Sequence, residues 1–235
     1  MNELAILTGT AATIGLIHTL IGPDHYLPFI IMSKTRRWGT FKTAIVTLLC
    51  GLGHILSSVV LGLIGIAVGI AVFKLEAVES FRGEIAAWLL IAFGLTYFVW
   101  GLHKAIRSKT HEHWHVHQDT ASHSHTHDHT SAHSHVHATR YGDITPWILF
   151  TIFVFGPCEP LIPLVMYPAA KSNMGAVAVV ATAFGVVTIA TMMTIVLLSH
   201  FGLSRLSTEK LGRYPHASAG LAILLCGLTI KLLPL

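Results

Sequence analysis

The chain has 235 residues, of which 53% are hydrophobic and 11% charged, against about a quarter charged in an ordinary soluble domain, and this excludes a water-soluble globular protein. The formal net charge of +4 is no sign of nucleic-acid binding, because the basic residues gather at the ends of apolar stretches, where lipid topology accounts for them. Three cysteines, Cys50, Cys158 and Cys226, lie in separate apolar segments without a C-x-x-C pair, so no disulfide framework is implied.

The first apolar run, residues 4–23, has no basic stretch before it and no small-residue cleavage pattern after it, so it is expected to remain as a first span. Gly22-Pro23 should break that helix, since proline removes a backbone donor and clashes with the preceding turn; a short second half, 26–33, follows. Residues 44–73 form an uncharged second span longer than a hydrocarbon core requires. Residues 74–84 mix charged and apolar side chains and are expected to be an interfacial turn before the third span, 84–107. The fourth span, 144–170, is apolar apart from Glu159 and should break at Gly156-Pro157, with 161–170 as its second half. Spans 172–203 and 214–230 complete six.

Two longer-range patterns organise these elements. Of the 15 lysines and arginines, most lie in the loops after spans one, three and five, which by the positive-inside tendency face the cytoplasm. Both termini are then outside and the loop 108–143 is cytoplasmic. Gly22-Pro23-Asp24-His25-Tyr26-Leu27 aligns with Gly156-Pro157-Cys158-Glu159-Pro160-Leu161, and three spans per copy force opposite orientations. The expected fold is an all-α membrane protein of two inverted three-helix repeats, 1–107 and 144–235, with broken first and fourth helices, a plan common among secondary transporters.

Ionisable groups at bilayer depth cost several kcal/mol unless they find partners or a cavity, so they are functional candidates by default. His18-x5-Asp24-His25 places two imidazoles and a carboxylate around the first break, a donor set that suits nickel, cobalt or zinc better than magnesium or calcium. The bland alternative is an interhelical hydrogen bond from His18 and a half-helix cap from Asp24. His54, among glycines 51 and 53, is a candidate fourth group, or else an ordinary packing histidine. At the second break Cys158 offers a soft donor and Glu159 a carboxylate that could bind metal or carry a proton; otherwise they are a small buried residue and a cap.

Eleven of the 17 histidines lie in the loop at alternate positions: His111, His113, His115, His117, His123, His125, His127, His129, His133, His135 and His137. With so little apolar surface the loop is expected to be largely disordered, and the spacing suits accessory capture of metal ions or a pH-responsive linker.

Gly15-Leu-Ile-His18-Thr-Leu-Ile-Gly-Pro-Asp24-His25, the Gly156-Pro-Cys-Glu-Pro run and the His-rich loop together resemble the nickel/cobalt transporter superfamily, most of all its urease-accessory-protein H-like permeases, and more distantly the sulfite-exporter-like and CcdA-type membrane proteins. The better-known nickel permeases have His-x4-Asp-His, one residue shorter than here. The resemblance implies that His18, Asp24 and His25 contact nickel or cobalt. The expected function is secondary transport of a divalent transition-metal cation (nickel, cobalt or zinc) in the cell membrane, coupled to protons, because the ligands must lose protons to bind. His18, Asp24, His25, His54, Cys158 and Glu159 would hold the cargo. No prosthetic group and no enzymatic activity are expected, and without a Gly-x4-Gly-Lys-Ser/Thr stretch ATP-driven pumping by this chain is not expected either. The competing functions are export of a small anion such as sulfite, and thiol-disulfide electron transfer across the membrane.

Overall fold

The structure, a computed structural model, describes residues 3–107, 111–116, 122–127, 144–204 and 214–232. Its membrane part is helical throughout. Helix α1 (Glu3–Ile21) ends at the first Gly-Pro, a single 3-10 turn (Pro23–His25) follows, and α2 (Leu27–Thr35) resumes the helix. Next come α3 (Thr40–Val68) and α4 (Val72–Arg107). Beyond the loop, α5 (Thr145–Phe155) stops at the second Gly-Pro and α6 (Leu161–Ala170) resumes beyond it, followed by α7 (Met174–Ser204) and α8 (Pro215–Leu232). Both expected breaks are present, and each is set by a proline that cannot continue the backbone ladder.

Five helices, α1, α3, α4, α7 and α8, are long and apolar enough to cross a membrane, while α5 and α6 are shorter apolar pieces. Large hydrophobic side chains such as Leu16, Leu56, Trp88 and Leu198 point outward, as lipid-facing positions should.

One expectation needs correction. Residues 74–84 are not a turn: α4 runs unbroken for 36 residues, about 54 Å at 1.5 Å per residue, and the real turn lies earlier, at Gly69, where a left-handed backbone (φ 71°) closes α3. The charges that resembled an interface are partly turned inward, with Glu79 wholly buried. Within the His-rich loop the described residues include two antiparallel strands, β1 (His111–Val116) and β2 (Ser122–His127), in a register that sets His111 opposite His127, His113 opposite His125 and His115 opposite His123. His117, His129, His133, His135 and His137 lie outside the described residues.

Helices pack across the two halves of the chain: α1 along α7, α3 along α5, α6 and α7, and α4 along α8. The α4–α8 contact is a close backbone approach. A Cβ at Gly94, Gly101 or Gly220 would sit 2.2–2.4 Å from the facing helix's backbone nitrogen, the small-residue packing that draws helices together where lipid supplies no hydrophobic drive. One apolar cluster gathers α2, α3, α4, α5, α7 and α8 around Phe29, Leu149 and Ile223, and a second gathers around Phe184, Leu161 and Cys158. The three-histidine site lies between them.

A candidate metal centre at the first break

His18 comes from the last turn of α1, His25 from the 3-10 turn and His54 from mid-α3. Their rings meet edge to face, His18 to His25 with centroids 4.7 Å apart and His25 to His54 with centroids 5.1 Å apart. One ring nitrogen from each can be chosen so that all three lie within 4.8 Å of one another. His25 and His54 are only 3% and 2% exposed.

Chain geometry explains why the rings converge. Proline at 23 halts α1, and the tight turn swings His25 back under His18. A Cβ at Gly22 would lie 2.6 Å from His25 Nδ1 and 2.8 Å from Asp24 Oδ1, so only glycine permits this turn with these side chains in place. Gly15, one turn before His18, lets α1 rest against the Phe184 carbonyl and the Thr188 hydroxyl of α7. The second break reaches the site as well, because a Cβ at Gly156 would lie 3.0 Å from His54 Nδ1.

Hydrogen bonding assigns the tautomer of His25. His25 Nδ1 lies 3.1 Å from the Gly22 carbonyl and 3.2 Å from Asp24 Oδ1. Two acceptors there assign the proton to Nδ1 and leave the Nε2 lone pair free. His25 Nε2, His18 Nε2 and both nitrogens of His54 make no well-formed hydrogen bond, and among the described residues the one other buried side-chain polar atom in that condition is Thr188 Oγ1. Buried polar atoms are nearly always partnered, so a concentration of bare nitrogens at one place makes this a candidate ligand site. Three imidazoles suit zinc, nickel or cobalt. Nitrogens bound to one ion at about 2.1 Å sit roughly 3.4 Å apart in tetrahedral geometry, shorter than the 4.8 Å within which these three lie.

The six candidate residues therefore divide. His18, His25 and His54 come together. Asp24, 30% exposed, stands behind His25 as its hydrogen-bond partner, the carboxylate–histidine arrangement that orients metal-ligating imidazoles. Cys158 and Glu159 do not join the group: Cys158 is fully buried in the second apolar cluster, and Glu159 is exposed. All three cysteines are buried free thiols. The sequence analysis missed Gly22 and Gly156 as the residues that make room for the rings, although their Gly-Pro dipeptides were visible. It also missed the buried pair of Glu79 and Arg82, hidden in a segment that resembled an interfacial turn.

No curated protein and no solved structure matches the chain, and the resemblance to nickel/cobalt transporters gains no support from these comparisons. A family model does match, and it covers 26–229, so that it takes in His54 but begins one residue after His25. On that match the chain belongs to the family described as the cytochrome C biogenesis protein transmembrane region, within the wider CcdA-like group of multi-pass membrane proteins.

Proposed function

We propose that the protein is a secondary carrier for a divalent transition-metal cation, nickel, cobalt or zinc, which binds at His18, His25 and His54. One observation carries this reading: three buried imidazoles that can each offer one nitrogen within 4.8 Å of the others, with Nε2 of His18, Nε2 of His25 and both nitrogens of His54 making no well-formed hydrogen bond. Asp24 supplies one compensating negative charge and holds His25 in the metal-binding tautomer. The ligands must be deprotonated to bind, which makes protons the natural coupling ion. The packing of α1 on α7, of α3 on α5 and of α4 on α8 fits two inverted three-helix halves that rock about the site. Exposed Glu159 is a candidate proton carrier on the second half. Termini outside and a cytoplasmic His-rich loop that gathers cations complete the proposal.

The family itself speaks for a second reading, a thiol-disulfide electron carrier or a small-anion exporter, and the family match backs that reading better than metal transport. Three buried free thiols could serve electron transfer. Against anion export stands Asp24, which repels a negative cargo at the imidazoles. Against thiol chemistry stands the separation of Cys158 from Cys50 and Cys226 into different apolar clusters.

Purified protein in proteoliposomes, offered nickel, cobalt, zinc and sulfite in turn, tests the choice. Metal entry that His25→Ala abolishes is the expected result. Sulfite movement without metal movement, or dithiol-driven reduction that requires Cys158, would replace the carrier reading with the second one.

A further inference from the structure

A second constellation of polar side chains lies apart from the histidines. Glu79 on α4 is fully buried and Arg82, one turn later, is 14% exposed; they form an ion pair. Two partners of this pair are backbone groups at the second break. Glu79 Oε2 accepts from the Cys158 N–H at 2.9 Å, and Arg82 Nη2 donates to the Val154 carbonyl at 2.7 Å. In an unbroken helix those two groups would bond each other, since the N–H of residue 158 would donate to the C=O of residue 154. The break at Gly156-Pro157 removes that bond, and the ion pair is inserted in its place, the carboxylate on the stranded donor and the guanidinium on the stranded acceptor.

Packing and further hydrogen bonds fix α4 at the break. A Cβ at Gly83 would lie 2.7 Å from the Pro157 ring, so α4 presents a gap into which that proline fits. Arg82 Nη2 also donates to Ser57 Oγ at 2.6 Å, and Ser57 Oγ donates to the His54 carbonyl at 2.8 Å. Ser58 Oγ donates to Glu79 Oε2 at 3.1 Å. One network thus ties together the second break, α4 and the α3 turn that bears His54. The hydrogen bonds of the first break are local to it: the Leu20 carbonyl, which matches Val154 in the repeat, accepts the Tyr26 hydroxyl at 3.3 Å, and His25 Nδ1 lies 3.1 Å from the Gly22 carbonyl and 3.2 Å from Asp24 Oδ1.

We infer that Glu79 and Arg82 are positioning residues, a charged splint that replaces the missing helical hydrogen bond, pins the second break and holds His54 in place, so that the first break with Asp24 and His25 is the arm that moves. The burial of two charges in an apolar protein fits this role, because such a pair is tolerated where every lone pair and proton finds a partner and is a poor source of stability otherwise. The inference concerns the scaffold and holds whichever cargo the protein carries.

The test uses the full-length protein in nanodiscs with Cys50 and Cys226 replaced by alanine, and reads two signals: alkylation of Cys158 by N-ethylmaleimide, and amide hydrogen exchange of peptides over the two breaks. The expected result is slow alkylation, with exchange at 156–162 at least tenfold slower than at 22–27. E79M/R82M removes both charges together, which keeps the core apolar and the protein folded by gel filtration. It should raise both the alkylation rate and the exchange at 156–162 at least tenfold, whereas E79Q/R82K, which keeps an acceptor and a donor in reach, should stay within about threefold of the parent. The charge swap E79R/R82E should fail to restore the parent rates, since it would set a carboxylate against the Val154 carbonyl. Parent rates in E79M/R82M, or full rescue by the swap, would overturn the splint, as the first would show that the break needs no support and the second that net neutrality is enough.

Discussion

Glycine 22 decides whether His25 can enter the cluster at all. Its missing side chain leaves the space in which the His25 ring and the Asp24 carboxylate fold back over the turn. Gly22→Ala should therefore weaken nickel or zinc binding at least tenfold by calorimetry in detergent while the helical circular dichroism stays unchanged; parent affinity would show that the ring orientation is immaterial. This cluster was partly legible in the sequence. His18, Asp24 and His25 announced themselves by the cost of polar groups in lipid, and His54 by the small residues around it. The places of Cys158 and Glu159 were not legible, because spacing cannot tell which way a side chain leaves a proline break, and here one turns into an apolar cluster and the other outward. Asp24 was legible as a participant, but its place behind His25 depends on a turn geometry that only coordinates display.

Among the elements, the longest contact depends on the smallest residues. The backbones of α4 and α8 approach so closely at Gly220 that an added Cβ would lie 2.2 Å from the Phe98 nitrogen, and backbone cannot yield as a flexible side chain can. Gly220→Ala should then cost roughly 1 to 3 kcal/mol, the usual penalty for overpacking, seen as a lower thermal unfolding midpoint in detergent; an unchanged midpoint would mean that the helices separate freely. The proline breaks were the most legible elements, since one residue type dictates them. The start of α4 was the least legible: charges three residues apart look alike on an interfacial turn and on a helix whose charged face is buried. What separates the two cases is a partner far along the chain, the backbone at 154 and 158, and local pattern carries no record of it.

At the scale of the whole molecule, the proposed carrier divides the work between the loop and the bundle. The strand register pairs histidine with histidine across the ribbon, an arrangement that suits capture of ions, while the proposed path runs through the trio in the bundle. Deletion of 111–137 should lower transport at scarce metal concentrations severalfold and leave the maximal rate within about twofold of the parent, measured as initial rates of nickel entry; complete loss of transport would make the loop part of the path. A six-residue match in the sequence suggests two halves, and the contacts between helices of the two halves of the chain can be read only from the fold.

Gly156 touching His54 has a consequence for release. Two rings of the trio ride on the first break, whereas the third leans on the second, so in the proposed carrier a small slide between these regions would withdraw one tooth of a three-toothed chelate without breaking any helix. A chelate reduced to two teeth grips far less tightly, and the same movement that uncovers the site would loosen its hold on the ion.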